Sequence, residues 1–394
     1  MIGARADLQR RRAGHEHHRV TYIELFFDLV FVFAITQLSH SLLEHLTPMG
    51  AVQTALLFLA VWWVWIYTCW ITNWLEPDRT PVRLMLLVLM LAGLMLSTSL
   101  PRAFGDRGLA FAGAYVFMQV GRSAFVMWAL RGHNAANYRN FQRITIWLIG
   151  SGVLWIAGGL AEDGARLALW ACAMLIDFVS PSLGFWTPGL GRSTTADWDV
   201  EGAHMAERCA LFVIIALGES ILVTGATAAN LEPSVGVIGA FLAAFVGSVA
   251  MWWIYFDAAA ERASRQFVSS SDPGRVARLA YTYIHMPLIA GVVVTAVGDE
   301  LTLAHPYGEM HLSTAAVLLG GPGLYLLGDL LFRRATTGRL PRAHIGGLLA
   351  LAVLAPIGMS MTPLVLSALV SAVLVVVAAS ETIWVRRERA RAST

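Results

Sequence analysis

Between Thr21 and His45 the chain runs almost without a break through apolar residues, and such runs recur to its C-terminal end. A lipid-crossing helix needs about 20 residues of this kind. The 394 residues are 57% hydrophobic and 14% charged, against about 25% charged in soluble globular proteins. A soluble domain is therefore excluded, and a polytopic helical membrane bundle is expected. Yet this first run carries Glu24 and Asp28, spaced i,i+4 and so on one helix face. Ser39 falls about 20° from that face. A charge near the bilayer centre costs at least about 2.5–3.5 kcal/mol. The face must meet protein or water. It is either a structural ion pair near the membrane edge or a place where a polar species binds or moves.

Apolar runs broken by Pro, Gly and Arg predict about twelve transmembrane helices, over 21–44, 51–74, 82–100, 108–130, 142–160, 165–187, 205–226, 233–257, 276–298, 311–332, 341–359 and 362–384. No connecting loop is long enough for a soluble domain. All 28 basic residues are Arg. With the N-terminus in the cytoplasm, only Arg102, Arg107 and Arg166 fall on the opposite side, and Arg122 lies inside a span. Every other Arg, including Arg208 in the first turn of the seventh helix and Arg333 at the end of the tenth, is counted as cytoplasmic. This is the bias of the positive-inside rule. It predicts a bacterial inner-membrane protein with both termini cytoplasmic. Scattered along loops, these arginines make no nucleic-acid surface.

The domain plan expected is a basic cytoplasmic tail over 1–20, a six-helix half over 21–187, a cytoplasmic linker over 188–204, a second half over 205–384 and a tail over 385–394. No removable signal peptide is expected. Cys69, Cys172 and Cys209 lie in apolar stretches without metal-ligand spacing. His15-Glu16-His17-His18 offers at most a weak metal site, so no metal or cofactor is expected. The halves repeat in outline. Glu24 aligns with Glu207, Trp62-Trp63 with Trp252-Trp253, Gly93 with Gly291 and Gly121-Arg122 with Gly328-Asp329. Six is an even number of crossings. The expected relation is therefore two parallel repeats about an axis along the membrane normal.

The candidate ion- or substrate-binding residues are Glu24, Asp28, Arg122, Asp177, Glu207, Glu219, His285 and Asp329. All but Glu207, at the entry of the seventh helix, are charged or polar groups buried in spans. Arg122 could meet Asp329 across the pseudo-twofold, or instead Asp28, Asp177 or Glu219. His285, two residues before Pro287, is equally readable as a packed core histidine. Trp62, Trp63, Trp65 and Trp70 pack a helix or line a cavity. No P-loop, dinucleotide fingerprint, H-E-x-x-H or G-x-S-x-G occurs, so no enzyme is expected.

The stretch Glu24-Leu25-Phe26-Phe27-Asp28-Leu29-Val30-Phe31-Val32-Phe33-Ala34-Ile35 resembles a signature of the bacterial low-temperature-requirement A (LtrA) family. Glu207-Arg208 with Leu211-Phe212, Ile214-Ile215 and Leu217-Gly218-Glu219-Ser220-Ile221 resembles its second signature. Cys209-Ala210 departs from the expected Phe-Gly. The resemblance implies a multi-helix membrane protein linked to growth in the cold. A fainter similarity is to the lysosomal potassium-channel family of two six-helix repeats, but Phe27-Asp28 lacks the Ser of its Phe-Ser-Asp motif. Two functions stay open. One is a transporter or channel for a cation, proton or small solute. The other is a non-transporting protein of membrane-state sensing or cold adaptation, or an intramembrane lipid-acting enzyme. Transport predicts buried charges converging on a cavity, and a structural role predicts them paired and dry.

Overall fold

A computed structural model describes residues 8–10, 19–194, 198, 200–259, 267 and 272–392. His15-Glu16-His17-His18 lies outside them. The described residues form twelve helices and no strands. These are α1 Tyr22–Glu44, α2 Pro48–Trp74, α3 Thr80–Arg102, α4 Gly108–Leu130, α5 Ala135–Leu160, α6 Asp163–Val179, α7 Gly202–Ala229, α8 Val235–Asp257, α9 Pro273–Ala304, α10 Leu312–Thr337, α11 Arg342–Gly358 and α12 Pro363–Ala392. Ten are long and apolar enough to cross a membrane; α6 and α11 are 17 residues each.

Local chemistry sets several ends. Thr47 caps α2, its hydroxyl accepting the Gly50 N–H, with Pro48 in the first turn where no N–H is needed. Ser234 caps α8 in the same way. The fifth helix starts at Ala135, seven residues before the sequence-based expectation, because Asn134 accepts the Asn137 N–H and supports a polar first turn. The sixth stops at Val179 rather than 187. Beyond it the chain turns through Pro181 and reaches Gly184 and Phe185, both at positive φ.

The chain divides into two compact units: Met1–Arg208 with Ser271–Arg275, and Cys209–Ser270 with Val276–Thr394. The boundary falls inside α7. In the first unit α2 is the most buried helix. It packs on α1 and α6, and α1, α3, α4, α5 and α6 follow one another around it. Its tryptophans are packing residues. Trp62, Trp63 and Trp65 are buried, and Trp63 stacks on Phe178 at 4.5 Å. Arg166, expected in an exterior loop, is buried and donates to the carbonyls of Gly158, Ala161 and Ala103. It satisfies acceptors orphaned at the end of α5.

In the second unit the most buried helix is α9, in close contact with α10. A Cβ at Gly291 would lie 2.5 Å from the Tyr325 N, and one at Gly328 2.7 Å from the Leu288 N. Only glycine lets these backbones approach so closely. Helix α9 begins with a π-helical stretch, Ala277–Ile284, just before Pro287. The proline has no N–H to continue the ladder, and the wider turns accommodate that.

Candidate functional site

Glu24 and Asp28 share one face of α1 with Phe31, Ile35, Leu38 and Ser39, all buried. Glu24 stands three residues after Thr21 and accepts its backbone N–H at 2.9 Å, as a carboxylate at that position of a helix start commonly does. Four further groups close around the pair. Arg208, from the start of α7, donates to Asp28 Oδ1 at 2.6 Å, and its Nη1 lies 3.5 Å from Glu24 Oε1. Trp65 Nε1–H donates to the same Asp28 oxygen at 2.8 Å. Arg10 reaches Glu24 Oε2 at 3.5 Å. His204 Nε2 lies 2.9 Å from Glu24 Oε1.

The His204 tautomer follows from its neighbours. Asn73 Oδ1 accepts the Glu201 N–H, so the Asn73 nitrogen faces His204 Nδ1 at 3.2 Å and donates to it. Nε2 therefore carries the hydrogen given to Glu24. The imidazole is neutral. Two guanidiniums face Glu24 and Asp28, and Arg10 Nη1 also lies 3.9 Å from the partly buried Glu201 carboxylate. Glu24, Asp28, Arg208 and His204 are fully buried. Among the described residues, Asp28 Oδ2 and Arg208 Nε have no hydrogen-bond partner.

The expected tail residue Arg10 enters this knot because its strand of chain is tied down. Arg10 N–H donates to the Trp74 carbonyl and Glu76 N–H to the Leu8 carbonyl. Arg10, Arg208 and Arg333 are thus buried rather than in loops, and Arg166 leaves the exterior count. The asymmetry of the remaining arginines is unchanged in sign.

Arg122 meets neither Asp28 nor any other carboxylate directly within its unit. It follows a π-helical stretch, Phe117–Gly121, and donates to the Val64 carbonyl at 2.9 Å, to Thr68 Oγ1 at 2.8 Å and to Gln119 Oε1. Gln119 Nε2–H then donates to the Tyr115 hydroxyl at 3.2 Å, and Tyr115 O–H to Asp177 Oδ2 at 2.8 Å. Trp155 Nε1–H also donates to Asp177, at 3.1 Å. Arg122 and Asp177 are joined by a relay of neutral side chains, all buried.

In the second unit Asp329 is bound by Arg333, one turn later, at 2.6 Å and by His344 at 2.7 Å. Both of these partners of Asp329 lie within its own unit. Arg333 also donates to Glu381 at 2.9 Å and to the Ile254 carbonyl at 2.6 Å. His344 Nδ1 lies 3.7 Å from Glu381 Oε1. His285 is a packed histidine. Nδ1–H donates to the Ala280 carbonyl at 3.0 Å, Nε2 accepts from the Tyr255 hydroxyl at 2.8 Å, and Tyr281 and Phe332 cover the ring. Glu219 is buried in α7. Glu207 is exposed, accepting the Val20 N–H at 3.2 Å, whereas its expected counterpart Glu24 is 0% exposed.

The two matching signatures thus supply both halves of one ion-pair knot: Glu24 and Asp28 from the first, Arg208 from the second. The sequence signature of the family described as Bacterial low temperature requirement A protein (LtrA) matches residues 19–379. The chain belongs to the LtrA family. An uncharacterized protein of Rhizobium meliloti (strain 1021) is 39% identical over 384 residues, 97% of this chain and 94% of that one. No solved structure matches. This LtrA chain is accordingly a multi-pass membrane protein, and its two signature stretches include the buried charges Glu24, Asp28, Arg208 and Glu219.

Proposed function

We propose that this LtrA protein is a carrier or channel of the bacterial cytoplasmic membrane for a proton, a small cation or a small solute, with both termini cytoplasmic. The reading assigns it no enzymatic step. One observation carries it: the cluster of Asp329, Arg333, His344 and Glu381 from α10, α11 and α12. It holds two carboxylates, one guanidinium and one imidazole. Its charge is balanced only when His344 is imidazolium, and uncompensated buried charge is costly. Histidine ordinarily titrates near pH 6.5. Gain or loss of one proton there changes the force between three helices, as alternating access requires. The skewed arginines support the orientation, and the ordered motif matches support two parallel repeats. Reporter fusions after Ala304 and Thr337 should read outside and inside; the reverse would overturn the orientation and the helix parity on which the repeats rest.

The transport test is the protein in liposomes holding a pH-sensitive dye, under imposed proton, sodium or potassium gradients. Wild type should change the internal pH, and His344→Gln should abolish the change while inserting normally. Wild type silent under all three gradients sinks the reading. A non-transporting protein of membrane-state sensing or cold adaptation then takes its place. That second reading is supported by the Glu24–Asp28 knot, whose carboxylates are buried and paired with guanidiniums.

A further inference from the structure

Sequence reasoning ends the ninth helix at 298, but α9 runs on to Ala304 and takes Asp299 into the bundle. Asp299 is 5% exposed. Among the described residues it has neither an ion pair nor a hydrogen bond, and its Oδ2 is shut off from solvent. It differs in this from Glu24, Asp28, Asp177, Asp329 and Glu381, each of which has named donors.

Asp299 does have a cavity beside it. The space measures about 20 Å³ and is lined by Thr295 one turn earlier on α9, by Pro322 and Leu318 of α10, and by Ser367 and Ser371 of α12. It has room for one water-sized sphere. Its polar lining is oxygen only. Thr295 and Ser371 give their hydroxyl hydrogens to the Gly291 and Ala243 carbonyls, at 2.7 and 2.8 Å. Their oxygens keep lone pairs free to accept. Pro322 lies inside α10 and has no N–H for the Leu318 carbonyl four residues back. A Cβ at Gly321 would come 2.6 Å from both the N and Oγ1 of Thr295. Glycine there is what lets α10 close over this turn of α9.

One carboxylate, several neutral oxygen acceptors and a sphere-sized space are the donor set of a hard, dehydrated cation. Freed helix carbonyls beside carboxylates coordinate Na⁺ in discontinuous transporter helices. Charge selects the valence. A monovalent ion brings the site to neutrality, whereas a divalent ion leaves a net positive charge among apolar helices. We propose that Asp299, Thr295, Ser367 and Ser371 bind one dehydrated Na⁺.

The test uses purified full-length protein in detergent, with NaCl exchanged for choline chloride at constant ionic strength. Sodium should raise the thermal midpoint and bind saturably as radioactive Na⁺, one per chain. Asp299→Asn should abolish both effects. Thr295→Val and Ser367→Ala each remove one oxygen and should weaken binding about 3- to 10-fold, so the proposal stays testable even if Asp299→Asn does not fold. It is overturned by equal midpoints in the two salts, by binding retained in Asp299→Asn, or by oxygen-removing variants with wild-type affinity. A protonated-carboxyl infrared band at Asp299 that is unchanged by Na⁺ would also overturn it. Binding is read here without transport. A negative result leaves the His344 reading standing, and a silent liposome assay leaves the sodium site standing.

Discussion

The cluster around Asp28 sets two buried carboxylates, with Glu201 at its edge, against two guanidiniums, whereas the cluster around Asp329 sets two carboxylates against one guanidinium and one imidazole. In the first, Asn73 donates to His204 Nδ1 and so fixes a neutral ring; the positive charge there comes from guanidiniums alone. In the second, His344 has a carboxylate oxygen near each ring nitrogen, at 2.7 and 3.7 Å. Imidazolium places positive charge between the two carboxylates, donating to Asp329 and attracting Glu381 without a hydrogen bond. Both clusters are buried and both join several stretches of chain, but only in the second does the positive charge include an imidazole. Burial of charge alone therefore does not identify a moving part. A buried cluster whose neutrality depends on a proton does.

The largest effect expected is at the balanced cluster. Removing one partner of a buried pair leaves an uncompensated charge and costs about 3–5 kcal/mol. Arg208→Ala and Asp28→Asn should both unfold several degrees below wild type, or fail to accumulate, as read by fluorescence-detected chromatography of heated samples. The double variant Arg208→Met, Asp28→Leu should recover most of the loss, because apolar replacement of a buried pair is often neutral. If Asp28→Asn is instead stable and loses only flux, this knot carries transport and the contrast with Asp329 collapses.

Arg333→Met probes the second cluster in the same way. It should cost about 3 kcal/mol near pH 8. The sign of the pH dependence follows from charge counting. Without Arg333, Asp329 and Glu381 face His344 alone, and lower pH places a positive charge between them. The defect should shrink toward pH 5.5. Thermal midpoints of Arg333→Met and wild type at pH 5.5 and pH 8 measure it. A defect that does not change with pH would remove His344 from the charge balance of this cluster.

Part of this comparison was legible beforehand. Twelve helices and the buried face of Glu24, Asp28 and Ser39 follow from apolar length and i,i+4 spacing, whereas His285 stayed open between a binding and a packing role. The partners were not legible. Arg208 and Arg333 stand at the ends of apolar runs, where arginine ordinarily means a loop, and Arg10 sits in a stretch with no apolar periodicity. For Arg333 a signal existed, since Asp329 precedes it by four residues. For Arg10 there was none, because the backbone bonds from Leu8 and Arg10 to the end of α2 are a tertiary fact. The relay through Gln119 and Tyr115 was missed because both residues are neutral and were passed over beside Arg122.

A smaller effect separates the roles of charge and hydrogen bond within the first cluster. Trp65→Phe keeps the ring against its neighbours and removes only the N–H given to Asp28. A hydrogen bond to a charged group contributes about 1.5–3 kcal/mol. The variant should fold, with a midpoint clearly below wild type but above Arg208→Ala, since the guanidinium remains on the same carboxylate oxygen. A midpoint as low as that of Arg208→Ala would mean that Trp65, rather than Arg208, fixes Asp28.

The smallest effect tests whether the halves are used alike. Glu24 and Glu207 occupy matching places in the sequence, yet Glu24 is 0% exposed with Arg10, Arg208 and His204 around it, while Glu207 is exposed and accepts one backbone N–H. Glu24→Gln removes the charge that Arg10 and Arg208 share and leaves buried guanidinium uncompensated. Glu207→Gln keeps an oxygen for the Val20 N–H in a solvated place, and surface substitutions of that kind stay within about 0.5 kcal/mol. Midpoints measured side by side should fall steeply for the first and hardly move for the second. Equal losses would mean that Glu207 has a buried partner of its own in the membrane, and that both halves, not the first alone, are built around an acidic helix entry.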